Sequence, residues 1–356
     1  MSAFPSSSSV QRRERSFLER IFFAREMYLV LVLLVLSAGI TIVEPRFLTV
    51  YNLQQVALSA SLVSIVAIGQ ALVIICRQID ISVGPIVAAS AFISADYLVG
   101  NPTTPILFIF LIGCGVGAFL GAINAVIVAG FGIPAIVATL GTFAIFRGAI
   151  IILAEGRQIS ATSLPPNFVG IAELTVAGVP ALVWAALLMA AFGGWMARYT
   201  RFGRNLYAIG SNPEGSRLAG ISEQRHIAAV FVISGVLAGL VGVLWGARFG
   251  TVHAAIAPNM HIDSILAVVL GGISIFGGSG TIAGAVIGAL TIAVLQNGVL
   301  LLGVNQFWIQ AIVGAAILAT VVFYGHMSQR AETRRRTERR DARARQRHVQ
   351  NSRTFS

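Results

Sequence analysis

The sequence predicts an all-α protein, a polytopic transmembrane helix bundle of about ten spans with broken or re-entrant segments. Composition is the first reason. Of 356 residues, 56% are hydrophobic and only 11% charged, against about 25% charged in an ordinary soluble domain. The second is that the apolar residues gather into runs close to the ~20 that a helix needs to cross the hydrocarbon core. The third is charge placement. Residues 29–327 hold ten Arg against eight acids, whereas residues 328–356 hold ten Arg against three.

Taken in order, spans are expected near residues 27–43, 56–75, 83–99, 105–129, 134–154, 177–197, 227–249, 262–277, 281–302 and 305–325. The segments 83–99 and 262–277 are short and bordered by Gly, which marks them as candidates for breaks. Residues 1–26 carry Arg12, Arg13, Arg15, Arg20 and Arg25 and read as a cytoplasmic leader. The first run ends in Val43-Glu44-Pro45 without the small-x-small pattern of a cleaved signal. Both ends being Arg-rich, both are expected on the cytoplasmic side, and an even number of spans satisfies that. The segment 198–226, with Arg198, Arg201, Arg204, Arg217 and Arg225, then also falls inside, and 155–176 falls outside. The tail 328–356 has no apolar face. It is expected to lie against anionic lipid headgroups rather than to bind nucleic acid.

Chemistry-bearing patterns are few. No lysine occurs, and all 25 basic residues are Arg. A phosphate-binding P-loop needs a Lys to reach the terminal phosphates, so this chain holds none, and any ATP-driven step requires a partner. Cys76 and Cys114 lie in or beside apolar runs and read as small buried hydrophobes. Neither the five scattered histidines nor any acid shows a catalytic or metal-ligand spacing, so no catalytic residue, metal or cofactor is expected.

Asp80 stands out, because a carboxylate near the bilayer centre costs roughly 2.5–3.5 kcal/mol on insertion scales. It lies in Arg77-Gln-Ile-Asp-Ile-Ser-Val-Gly84. Either Asp80 and Ser82 cap the helix that begins near Gly84, or they form a polar break in a solute path, and the two roles are compatible. Arg147, Arg248 and Asp263 also fall in or beside spans. Glycines at spacing four (Gly113, Gly117 and Gly121; Gly235 and Gly239; Gly284 and Gly288) mark close helix packing. The stretch Val73–Gly84, followed by Gly117–Asn124, and the stretch Val269–Gly280, followed by Gly284–Leu290, are either distant copies of one repeat or alike only as glycine-rich apolar helices are by composition. Paired breaks of this kind point to a path at a repeat interface. It would be lined by Asp80, Ser82, Gly84, Asn124, Gly272, Ser274 and Gly277.

In segment 198–226, Asn212-Pro213 breaks the chain, and Glu214 to Gly220 reads as a short helix ended by glycine. From composition it is either a plain polar loop or a piece shaped for a partner's groove. Together with Ile79–Gly84, Ile133-Pro-Ala-Ile-Val-Ala-Thr-Leu-Gly-Thr142 and Val269–Thr281, it resembles the ribose/xylose/arabinose-type permeases of ABC importers. That family includes the rhamnose and autoinducer-2 permeases, and the likeness runs from about residue 50 to 325. Cys76-Arg77-Gln78 departs from it, since relatives often carry small or polar residues there. The resemblance implies a permease, paired with itself or a similar subunit. It also implies a cytosolic ATPase and a periplasmic solute-binding protein as partners, in the cell inner membrane. It implies that Gly203, Arg204, Gly210, Asn212, Pro213, Glu214, Leu218, Ala219 and Gly220 couple to the ATPase. The competing expectation is an ion-coupled secondary transporter using Asp80 or Asp263.

Overall fold

The computed structural model describes residues 25–305 together with 308, 311, 314 and 315. The leader 1–24, the basic tail 328–356 and most of the expected span 305–325 lie outside the described residues. The chain divides into two compact units, residues 1–294 and 295–356. In the second, the helix Ile282–Leu301 ends and the chain turns at Gly303, with φ near 67°.

Described helices meet nine of the ten expected spans. They are α1 (Arg25–Val43), α2 (Val50–Ile75), α3 (Val83–Gly100), α4 (Ile106–Ala125), α5 (Ala135–Ala154), α7 (Ala181–Tyr199), α10 (Glu223–Phe249), α11 (Met260–Leu270) and α12 (Ile282–Leu301). The short α6 (Pro166–Val169) lies in the connection before α7, with a two-residue hairpin, β1 (Thr175–Val176) and β2 (Val179–Pro180). Between α7 and α10 come α8 (Arg201–Ser211) and α9 (Pro213–Leu218). Seven helices, α2–α5, α7, α10 and α12, are long and apolar enough to cross a membrane; Met27–Val43 and α11 are shorter apolar helices.

Two expected boundaries move: α2 begins at Val50 rather than near 56, and α11 stops early. The run 262–277 is helical only to Leu270, because Gly272, Gly277, Gly278 and Gly280 all take positive φ, a region that β-carbons disfavour. The 11 residues of α11 rise only about 16 Å, roughly half a hydrocarbon core. The expectation of a broken segment there holds, with a shorter helix and a longer break.

Helix α2 is buried along nearly its whole length, and α10 packs against α2, α3 and α4. The glycine spacing makes this possible. A β-carbon on Gly117 would collide with the Gly235 carbonyl, one on Gly121 with Phe231 O, and one on Gly239 with Gly113 O. Thus α4 and α10 touch main chain to main chain, as close packing without a hydrophobic drive requires. Gly284 and Gly288 seat α12 against Gly271 O and Ala267 O in the same manner.

The first unit has two chemically distinct ends. At one lie the C-terminal end of α2, α8, the start of α10 and the 271–281 loop, joined by Asn205 Nδ2–His226 Nε2 at 3.1 Å and Gly278 N to Ile75 O at 2.9 Å. Arg198, Arg201, Arg204, Arg217 and Arg225 belong to this connector end. The other is tied by the Ile159–Val252 bridge and an Arg157–Asp96 ion pair at 2.7 Å. Arg147 and Arg248 belong to it as well. Arg147 donates to Ala254 O at 2.7 Å, and Arg248 donates to Ser59 Oγ at 2.9 Å. After α1, Glu44 and Arg46 form a two-bond pair (2.7 and 2.8 Å) that holds the Glu44 carboxyl down at about 2.

Candidate functional site

Helix α2 ends at Ile75, and the chain reverses at Arg77, whose φ is 63°. The next residues run back along the helix they have left: Gln78 N bonds Val73 O, and Gln70 Nε2 donates to the Asp80 carbonyl. The reversal carries Asp80 into the bundle, where it is fully buried. Its Oδ1 accepts from Ser82 N at 2.9 Å and from Ser82 Oγ at 2.7 Å; its Oδ2 accepts from Ser234 Oγ of α10 at 3.3 Å. A buried carboxylate needs such donors, since losing water without replacement is costly.

The network continues through two more helices. Asn124, at the end of α4, donates Nδ2 to Ser82 Oγ at 2.7 Å and accepts from Thr142 Oγ1 of α5 at 2.7 Å. Thr139, one turn earlier in α5, accepts from Ile81 N at 3.1 Å and donates to Ala135 O at 2.7 Å. Asp80, Ser82, Asn124, Thr139, Thr142 and Ser234 are all buried. Ser234 lies seven residues past Ile227, the first apolar residue of α10. That distance is about 10 Å of helix, so the knot sits below the surface of a hydrocarbon layer whose half-thickness is about 15 Å. Just beyond Asn124, residues Val126–Gly130 form a π-helical turn, closed by Phe131 N to Val126 O at 3.1 Å. Such turns recur at functional positions.

The capping expectation is not met by either side chain. Ser82 occupies the N-cap position of α3 without a side-chain cap bond, while Asp80 takes the Ser82 N–H. Gly84 sits in the first turn of α3, where a β-carbon would lie 3.3 Å from His261 Nδ1 of α11 and 3.4 Å from Ala257 O. Gly272, Ser274 and Gly277 do not reach Asp80. They shape the 271–281 loop, through Gly277 N to Ser274 O at 2.9 Å and Ser274 N to Ser279 O at 3.1 Å. That loop holds the C-terminal end of α2. The two expected breaks therefore touch each other, at Gly278 and Ile75. Their glycine-spaced sequels do not correspond: Gly117–Asn124 lies one helix beyond α3, whereas Gly284–Leu290 lies in α12 itself.

The connector residues form a second cluster. Thr200 caps α8, with Oγ1 accepting from Gly203 N at 3.1 Å. Gly203 leaves room for Met196 O and Ala197 O of α7. Arg204 Nη1 donates to Tyr199 O at 2.9 Å. Gly210 faces Ile75 O and Gly278, so a β-carbon there would strike both. Tyr207 donates to Gly280 O at 2.9 Å, and burial pushes its hydroxyl above the usual tyrosine range. Asn212 caps α9, with Oδ1 accepting from Gly215 N at 3.0 Å, and Pro213 occupies the first turn beside Glu214. Leu218 is 87% exposed, Ala219 follows it, and Gly220 turns the chain with φ near 77°.

Helices crossing a membrane, a buried polar break at depth, and an exposed connector helix tied to that break define a transport permease. The family profile described as the permease component of branched-chain amino acid transport systems matches residues 52–321. The chain belongs to that family, and its expected likeness to the ribose/xylose/arabinose-type ABC permeases is borne out. It is 32% identical over 305 residues to the autoinducer 2 import system permease protein LsrC of Enterobacter sp. (strain 638), covering 86% of this chain and 88% of the relative. The protein of the same name from Escherichia coli O157:H7 is 33% identical over 303 residues, covering 85% and 87%. That from Salmonella typhi is 32% identical over 303 residues, covering 85% and 86%. No solved structure matches. The chain is thus a multi-pass membrane permease subunit of an ABC importer and not a catalytic subunit.

Proposed function

We propose that this subunit translocates a monosaccharide or sugar-like solute inward, driven by ATP hydrolysed on a separate cytosolic subunit that docks on α8 and α9. A periplasmic binding protein delivers the solute to the opposite end, and the permease works as a pair with itself or a similar subunit. The sugar-like class rests on the autoinducer 2 permeases among its relatives. Charge supports the orientation. Five arginines against Glu214 and Glu223 stand at the connector end, while at the other end Arg147, Arg157 and Arg248 are offset by Asp96, Glu155 and Glu173, as positive-inside topology predicts.

One observation carries the mechanism: α8 is joined to the Asp80 break through main chain. Gly210 rests on Ile75 O and Gly278, and Gly278 bonds Ile75 at the foot of the reversal that holds Asp80. A push on α9 from a docked ATPase is passed by Gly210, Gly272, Ser274 and Gly277 to that reversal. The knot of Asp80, Ser82 and Asn124, with Gly84 beside it, is then the closed gate. Opening means exchanging its hydrogen bonds for water and solute.

Proteoliposomes containing the permease pair, its ATPase and a loaded binding protein test this directly. Uptake is expected only with ATP and an active ATPase. Uptake driven by a proton or sodium gradient with the permease alone would replace the proposal by ion-coupled secondary transport. The geometry of Asp80 disfavours that alternative, because serine donors already occupy both carboxylate oxygens.

A further inference from the structure

An open cleft lies between the second half of α7 and the start of α12, crossed at one end by α8. It encloses about 960 Å³, and its walls are small or aliphatic, including Leu187, Ala191, Gly194, Ile282 and Val286. Both walls belong to helices apolar enough to cross a membrane, so the cleft opens onto acyl chains rather than water. At the α8 end the chemistry changes. Arg198 and Arg204 stand at the mouth with Tyr199 and Tyr207, and none of the lining residues is acidic. Among the described residues neither guanidinium pairs with a carboxylate. Arg198 lies over the Tyr199 ring at 5.5 Å, and the bond from Arg204 to Tyr199 O engages one of its five donors. Trp195 and Tyr199 are exposed beside them, as aromatic residues are at the headgroup level of a bilayer.

We propose that this cleft binds an anionic phospholipid, with its acyl chains along the α7–α12 wall and its headgroup phosphate held by Arg198 and Arg204. Guanidinium groups grip phosphate through paired N–H bonds, and basic pockets between spans suit such headgroups. A zwitterionic lipid would fill the same walls but leave two cations without net counter-charge. A second copy of the chain is poorly equipped to supply that charge, since residues 29–327 hold only eight acids.

Native mass spectrometry of the detergent-purified full-length chain tests the assignment, with phosphatidylglycerol and phosphatidylcholine of identical acyl chains as probes. Phosphatidylglycerol should be retained preferentially. Each arginine at an anionic surface is worth roughly fivefold in affinity, so Arg198→Gln with Arg204→Gln should cut that preference about 25-fold. The Arg198→Lys, Arg204→Lys pair should keep most of it, and Ala191→Trp should weaken both lipids by filling the cleft. Should the glutamine pair fail to give monodisperse protein, the lysine pair and Ala191→Trp decide. Equal retention of the two lipids, or retention indifferent to these variants, would overturn the proposal. A dimer peak lost on Ala191→Trp, with lipid binding unchanged, would instead assign the cleft to a second copy. None of these readings depends on transport.

Discussion

Asp80 brings together side chains from four segments, and its removal leaves three donors facing an apolar interior. Each buried donor without a partner costs about 1–3 kcal/mol. Asp80→Ala should therefore lower the unfolding midpoint of the purified protein clearly and reduce uptake, while Asp80→Asn, which keeps an acceptor, should lower it less. Thr142→Val removes one bond to Asn124 at nearly constant shape and should cost about 1 kcal/mol. Wild-type midpoint and uptake in Asp80→Ala would rule the knot out as either anchor or gate. Sequence reasoning singled out Asp80, Ser82 and Asn124, because a carboxylate, a serine at a helix start and an amide in a glycine-rich run all break an apolar pattern. It missed Gln70, Thr139, Thr142 and Ser234. Isolated serines, threonines and glutamines are common in membrane helices, where they bond their own backbone, and only the reversal at Arg77 decides which of them meet. Thr139 and Thr142 lay in plain view within the 133–142 motif, three residues apart on one face.

At the scale of elements, the described spans follow hydropathy, and their boundaries fall within a few residues of expectation except at Val50, six residues early, and at Leu270. Glycine explains the second miss: a run such as Gly-Gly-Ile-Ser-Ile-Phe-Gly-Gly is apolar enough to count as span but takes backbone angles no helix allows. Helix α8 was overlooked because its charges mask a buried stripe of Leu206 and Ile209 with Gly203 and Gly210. The spacing of that stripe was the available signal. Two glycine substitutions separate packing from transmission. Gly117→Leu should abolish folded, monodisperse protein by prising α4 from α10, whereas Gly141→Ala, with nothing within 4 Å of the added carbon, should be tolerated or mildly stabilising. Gly210→Val should leave the ATPase bound yet lower uptake per ATP hydrolysed, because it wedges α8 from Gly278. Glu214 or Gly220 replaced by bulky residues, or Leu218→Asp, should instead lose the ATPase on co-purification. Identical behaviour of Gly210→Val and Leu218→Asp would deny that docking and transmission are separate steps.

For the molecule as a whole, orientation is the claim on which the rest stands. Single cysteines at Leu218 and Val176, both exposed, lie at opposite ends of the first unit. In intact cells an impermeant thiol reagent should label the second and not the first. Labelling of Leu218 from outside would put the connector beyond reach of a cytosolic ATPase. Charge asymmetry is what predicts this side from sequence, and the lack of lysine excludes a P-loop from the chain. The solute was not legible, because carboxylate, hydroxyl and amide groups such as those of Asp80, Ser82 and Asn124 can hydrogen-bond polar solutes of many kinds.

The joint between α8 and the 271–281 loop is main chain against main chain at Gly210 and Gly278, braced by Tyr207 Oη to Gly280 O at 2.9 Å and Ser211 Oγ to Gly278 O at 3.3 Å. Mutation elsewhere along either segment can change how firmly an ATPase grips, or how tightly the gate shuts, without altering the chemistry of this joint. Adaptation to a new motor or a new cargo can thus proceed on either side independently, so long as glycine at 210 and 278 and the bonds of Tyr207 and Ser211 keep the two together.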